Sequence, residues 1–247
     1  MIISPVYSLR VRREFDFNSI PGLVVDLDAR DLQAGNITRW GSRVNGHVLT
    51  GSAVCTSLIN GRPSVSFYGT NLLTSSAVAT QLSGSKVITA IGAYTDNFTP
   101  AAGGYILGTK SSGATGIEWL LWTWGSTGDI NNYVQNVPAG NSTQFHINNT
   151  LATPIVLTVN SDLTVPNETA LFRVNGTSGA STQDANTNTL TSYDSGIIFI
   201  GGTPAGGSYW TSGSLSKLLI YATDTKMSDY DLLNIERAVG SITGITF

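Results

Sequence analysis

The chain has 247 residues, 41% hydrophobic and only 12% charged, with 27 glycines and a formal charge of −3. That length buries a substantial core in one large domain or two small ones, and the charged share is about half the usual one. The balance disfavours disorder, gives nucleic acid no electrostatic hold, and predicts a β protein with many tight turns and a neutral Ser/Thr/Asn/Gly surface.

Residues 1–19 read as an N-terminal arm for docking or oligomerisation. Its "VYSLRVRREF" can form a strand, but Arg10, Arg12 and Arg13 suit a surface or a partner groove. Ile20-Pro21-Gly22 then opens a compact body, residues 20–247, in which no composition shift marks a linker. Leu23 to Ala29 is a strand, and two short strands flank Asn45-Gly46, the commonest hairpin dipeptide. Val65 and Phe67 alternate with Ser64, Ser66 and Tyr68, as in a half-buried strand. Further apolar runs begin at Lys86, Gly104, Ile117, Thr143, Pro154, Ala170, Gly196 and Leu215, separated by Gly/Asn/Ser turns. Many short strands in this rhythm indicate an antiparallel sandwich or barrel.

One helix follows the last strand. Ser228 is placed as N-cap, Asp229 and Asp231 complement the positive first turn, and Leu232, Ile235 and Val239 form one apolar stripe. Arg237 falls in the expected last turn and Gly240 at the C′ position. About twelve residues of helix do not stand alone in water, so the stripe must dock on the sandwich as a structural lid.

The order of these elements resembles the concanavalin A-like lectin/glucanase sandwich, in the laminin-G-like form found in phage structural proteins. Four stretches carry the resemblance: "IPGLVVDLDARDL" from Ile20, "ITRWGSRVNG" from Ile37, "INGRPSVSFYGTNLLTS" from Ile59, and "GSLSKLLIYATDTKMSDYDLLNIERAVGSITGI" from Gly213. They cover both ends of the body, and "LFRVNGTS" matches a hairpin in the middle. The resemblance implies an all-β, concanavalin A-like antiparallel β-sandwich (jelly roll) with one short C-terminal helix. It does not choose a function, because the fold carries lectins, hydrolases and inert structural modules.

The glucanases of this superfamily set paired carboxylates on one strand, Glu-x-Asp-x-x-Glu, to supply an acid and a nucleophile or base. Here glutamate occurs at Glu14, Glu118, Glu168 and Glu236 alone, and Glu118 has no acidic residue two or five positions on. The motif is absent, and no catalytic residue is assigned. His47 and His146 have neither metal nor triad spacing, and the lone Cys55 reads as a small buried apolar residue. Asp26, Asp28 and Asp31 group hard oxygen ligands that suit Ca²⁺, although the resemblance makes this stretch the ordinary end of the first strand. No metal and no cofactor is assigned.

The aromatic residues point further. Trp122 and Trp124 share one strand face with Leu120, and Trp119 shares the other with Leu121. Tyr209 and Trp210 stand in a Gly-rich loop. Flat aromatic faces stack on sugar rings, so Tyr209, Trp210, Trp122 and Trp124 are the ligand candidates, against core filling by two of the three strand tryptophans. The expected function is a non-enzymatic phage virion protein (head fibre, decoration protein or tail-fibre module) presenting a lectin-like sandwich to host glycans. Alternatives are a carbohydrate-binding module outside a virion and a glycan depolymerase with a non-standard carboxylate pair. Expected partners are other virion proteins through Arg10, Arg12 and Arg13, sister chains in a homo-oligomer, and a bacterial surface polysaccharide. Nucleic acid and membrane insertion are not expected. The N-terminus carries no signal-peptide pattern, which predicts synthesis in a host cytoplasm and location in the virion.

Overall fold

The structure, a computed structural model, describes residues 14–96, 104–111, 116–123, 129–137, 141–147, 153–164, 169–186, 190–202 and 213–247. In chain order the first strands are β1 (Leu23–Asp28), β2 (Gly35–Gly41), β3 (Val48–Ile59), β4 (Arg62–Ser66), β5 (Leu72–Ser75) and β6 (Val87–Asp96). Then come β7 (Gly104–Ser111), β8 (Gly116–Thr123), β9 (Ile130–Val137), β10 (Asn141–Ile147) and β11 (Ile155–Asp162). The last are β12 (Thr169–Val174), β13 (Thr177–Gly179), β14 (Thr182–Asn186), β15 (Gly196–Ile200) and β16 (Gly213–Thr223), before helix α1 (Asp229–Thr243). The chain is the expected all-β sandwich with one C-terminal helix.

Hydrogen bonding runs without a break through β13-β12-β11-β6-β16-β4-β3-β5-β15-β7-β8-β9-β10-β14, with β1 on β16 and β2 on β3. Strand β3 makes the corner: residues 49–52 pair with β5, whereas residues 54–59 pair with β4. The ribbon therefore folds into a first sheet around β6 and β16 and a second sheet around β7–β10. Side chains bridge the two through the core. Trp119 Nε1 of β8 donates to Asn132 Oδ1 of β9 at 2.6 Å, and Asn132 Nδ2 donates to Ser161 Oγ of β11 at 3.3 Å. These bonds satisfy polar groups that burial would otherwise penalise.

Two tight Asn-Gly turns behave as their composition requires. Asn60-Gly61 joins β3 to β4 and Asn175-Gly176 joins β12 to β13, all four residues at positive φ. Asn45-Gly46 also has positive φ, but it sits in a six-residue connection whose Asn45 Nδ2 donates to the Leu23 and Val24 carbonyls.

The first sheet is buried on both faces. Inward, Ile88, Ala90, Tyr94, Leu157, Val159, Leu218 and Ile220 join the sandwich core. Outward, Ile91, Ala93, Val156, Leu219 and Tyr221 meet Leu232, Ile235 and Val239 of α1. Each fully buried aliphatic side chain contributes about 1.5–3 kcal/mol, which is how so short a helix is held. Ser228 Oγ accepts from Asp231 N at 3.1 Å, as the N-cap expectation requires. The C-terminus differs: the helix continues through Gly240 to Thr243, and Gly244 takes the left-handed cap at φ 74°. A Cβ on Gly240 would lie 2.6 Å from the Ile245 carbonyl, so this glycine permits the chain to fold back rather than ending the helix. Arg237 accordingly sits before the last turn.

Residues 14–19, read from sequence as the end of the arm, lie on the body. Phe17 is buried against the helix-side cluster, and Tyr221 Oη donates to its carbonyl at 3.3 Å. Glu14 pairs with Arg30 at 2.5 Å. Arg10, Arg12 and Arg13 lie outside the described residues.

Candidate functional site

The outer face of the second sheet is the surface that can be built residue by residue. Inward-facing Trp119 and Leu121 are fully buried in the core, so the opposite parity of β8 points away from it. One register row crosses that face from Tyr105 on β7 to the Trp122 position on β8, Asn131 on β9, His146 on β10 and Thr182 on β14. The next row runs through Phe199 on β15, Gly108, Leu120, Tyr133 and Gln144. Directly opposed residues in adjacent strands share a face, so aromatic and amide positions interleave on one surface.

The floor of this face is apolar and closely packed. A Cβ on Gly108 would lie 2.6 Å from the Trp119 carbonyl oxygen and 2.8 Å from both Leu120 and Phe199 side chains. The amides are held in place: Gln144 Nε2 donates to Asn131 Oδ1 at 3.0 Å, and Asn131 Nδ2 donates to the Asp129 carbonyl at 3.2 Å. Tyr105, Tyr133, Gln144 and His146 are half-buried, with part of each still facing solvent. A separate half-open groove of about 320 Å³ is lined by Thr177, Ser178 and Thr182 with the core residue Ile147 and with Val174, which packs against the core, so it opens towards the core side of the sheet and not on the outer face. The groove lies between β13 and β14, the two edge strands of the ribbon. On the outer face, the half-buried rings of Tyr105 and Tyr133 beside the held Gln144 amide can take a polar ligand that also has flat apolar faces.

The sequence-predicted site residues fall unevenly. Trp119 fills the core, as expected for part of the tryptophan group. Trp122 occupies its register position between Tyr105 and Asn131. Trp124, Tyr209 and Trp210 lie outside the described residues. Asn131 and Tyr133 were not anticipated from sequence because β9 was not recognised as a strand, and Tyr105 and Gln144, on recognised strands, because only the register places them on this face. The signal of β9 is weak: Ile130, Asn132 and Val134 face inward, and the buried Asn132 breaks the apolar alternation.

The Asp26/Asp28/Asp31 group is an ion network. Arg30 forks Asp28 through Nε at 3.0 Å and Nη2 at 2.7 Å, and Arg43 Nη1 reaches Asp28 at 3.0 Å. Arg43 also grips Asp31 through Nε at 2.8 Å and Nη2 at 2.7 Å. Lys217, fully buried on β16, contacts Asp26 and lies 3.4 Å from Asp28. Ca²⁺ placed among these carboxylates would meet three cations, and among the described residues no group of three His, Cys, Asp or Glu is arranged for a metal. Sequence reading missed Lys217; a lone lysine inside the apolar run "LSKLLIY" was the available signal.

Burial alone would raise the Asp28 carboxyl, but the Arg30 hydrogen bonds, the Lys217 charge and Arg43 outweigh it and hold it at about 2. An unfolded aspartate titrates near 3.9, so this preference stabilises the fold fully above about pH 4 and is lost as pH falls towards 2. We expect urea unfolding to show a loss of about 2 kcal/mol across that window, a slope that Asp28→Asn removes. An unchanged acid slope in Asp28→Asn would contradict the assignment. Cys55 is a free, buried thiol whose burial pushes its pKa up, keeping it protonated as a core residue. His47 Nε2 lies 3.3 Å from Gln81 Oε1 in the turn before β3, and His146 lies on β10.

Compared with protein families and with curated proteins, the chain matches none. Solved structures do share its fold. A botulinum neurotoxin type C structure, described in terms of cell entry through two ganglioside molecules, superposes with a TM-score of 0.64 at 10% identity over 90% of this chain and 53% of that one. The binding domain of botulinum neurotoxin DC, solved in complex with SialylT, gives 0.62 at 7% identity, covering 89% and 52%. The serotype C1 binding domain gives 0.62 at 9% identity, covering 88% and 52%. At this identity the likeness shows a shared β-sandwich fold and nothing finer, and the chain spans about half the length of these structures.

Proposed function

We propose that this chain is a non-enzymatic, lectin-like module that binds glycans on the outer face of its second sheet. The observation that carries the reading is the pair of register rows that set Tyr105, the Trp122 position and Tyr133 beside Gln144 and His146, with the buried Asn131 holding the Gln144 amide from beneath. Helix α1 packs on the first sheet and not on this one. Aromatic rings stack on the apolar faces of sugars, while the half-exposed Gln144 amide takes hydroxyl groups. The neighbours with this fold are binding domains, one solved with SialylT, which supports the same class of ligand.

The carboxylates around β1 speak against the depolymerase alternative. Asp26, Asp28 and Asp31 are engaged by Lys217, Arg30 and Arg43, and Glu236 is engaged by Arg173. None of these four is left to act as an open acid and base pair on a sugar.

Truncating one aromatic of the face tests the reading. Tyr133→Ala is expected to weaken retention on a bacterial surface polysaccharide about tenfold, equivalent to about 1.4 kcal/mol, with an unchanged unfolding midpoint. Equal retention by the variant would remove this face as the site.

The finer proposal is that the module is a phage virion component, a head fibre, decoration protein or tail-fibre module, docked through its N-terminal arm with Arg10, Arg12 and Arg13. The packing of Phe17 sets where the arm should be cut. Deleting residues 1–13 is expected to abolish incorporation into particles and to spare glycan retention. Full incorporation of the truncated chain would exclude docking through the arm.

A further inference from the structure

We propose that Lys217 and Asp26 condense into an isopeptide bond, an amide between Lys217 Nζ and Asp26 Cγ that ties the last strand to the first. Strands β1 and β16 are antiparallel neighbours, with Asp28 opposite Lys217 and Asp26 opposite Leu219. Lys217 is completely enclosed, and Asp26 and Asp28 are buried beside it. Its Nζ is in hydrogen-bond contact with Asp26 Oδ1, 3.4 Å from Asp28 Oδ2, and 4.8 Å from the centroid of the Phe17 ring that covers it. An amine, a carboxyl and a second carboxylate thus share one enclosed space.

The chemistry balances without any further reactant. A proton passes from the Lys217 ammonium to the Asp26 carboxylate, giving a neutral amine and a neutral acid. The Nζ lone pair attacks Asp26 Cγ and forms the C–N bond. The second proton passes from Nζ to the departing hydroxyl as the C–O bond breaks, so one water leaves, while the Asp28 carboxylate beside Nζ offsets the positive charge that the nitrogen carries until it loses that proton. Holding the partners in contact replaces a bimolecular encounter by an effectively unimolecular one.

Charge also balances around the product. Forming the amide removes one buried cation and one buried anion together. Asp28 is not orphaned, because Arg30 and Arg43 remain on it. The bond would close the chain from residue 26 to residue 217, restricting the unfolded ensemble as a disulfide does, in a chain whose single cysteine cannot form one internally.

Intact-mass measurement of the purified, denatured chain decides the matter. The expected mass is lower than the sequence mass by one water, and protease digestion should give a branched peptide joining the Asp26 and Lys217 segments. Lys217→Arg should carry the full mass expected for its sequence. Asp28→Asn, checked for folding by circular dichroism, should retain the water. A wild-type chain at full sequence mass, or a water loss that maps to other residues, overturns the proposal. Complete cross-linking in Asp28→Asn overturns the role given to Asp28.

Discussion

Glu236→Ala is expected to lower the unfolding free energy by about 3–5 kcal/mol, most of it from an arginine left buried without its counter-ion. Glu236 is fully buried on the sheet-facing side of α1. Its Oε1 accepts from Thr158 Oγ1 of β11 at 2.7 Å and from Arg173 Nε of β12 at 2.8 Å, and its Oε2 from Arg173 Nη2 at 3.2 Å. Arg173 also donates to the Gly176 carbonyl at 2.9 Å, so the guanidinium joins helix, strand and turn. Apolar packing alone would let the helix slide along the sheet; this ion pair fixes its position. Replacing Arg173 and Glu236 together by Met is expected to cost much less than Glu236→Ala, because no charge is then left unpaired. Denaturant unfolding of the two variants checks this. Equal losses in both would mean that packing, and not the charge, fixes the helix.

Gly51→Ala is expected to cost about 3 kcal/mol or more, from steric overlap and backbone strain together. Gly51 lies at the corner of the ribbon with φ 150°, and a Cβ there would stand 1.9 Å from the Leu72 carbonyl oxygen and 3.0 Å from its carbon. Those are backbone atoms of β5, which cannot rotate away. The pairing of β2 with β3 steps at the same place, from Ile37 opposite Ala53 to Arg39 opposite Thr50, giving β3 one extra residue. A bulge with a glycine is how a strand bends from one sheet into the next. A variant with a wild-type unfolding midpoint would show that the corner tolerates a side chain.

The sequence revealed most where one side of an element is apolar and the other polar. The α1 stripe of Leu232, Ile235 and Val239 and the inward Val65 and Phe67 follow from spacing alone, whereas Ser64 and Ser66, expected on an open face of that strand, are buried too, and spacing leaves open which tryptophans fill the core. The C-terminus of α1 was misread because Gly240 and Gly244 carry equal local signals. Only the tertiary packing of Ile245 distinguishes them. The corner at Gly51 has no local signature, since "LTGSAV" reads as a turn until the partners of β3 are known. Strands β13 and β14 are short and polar, with an exposed β13, so no alternation marks them.

The candidate face was harder to read. Trp122 stood out by residue type, but Tyr105, Asn131, Tyr133 and Gln144 come from three separate strands. Only register brings them into adjoining rows. The ion network likewise needs β1 beside β16, a contact between opposite ends of the chain. Long-range pairing, not local composition, creates both features.

The most direct test of glycan recognition is retention of the full chain on a panel of bacterial surface polysaccharides, read beside its Tyr133→Ala variant and with newly released reducing ends measured in the same samples. The account predicts retention of the parent chain on at least one polysaccharide, clearly weaker retention of the variant, and no new reducing ends. Release of reducing ends, or a parent chain that none of the polysaccharides retains, would contradict it.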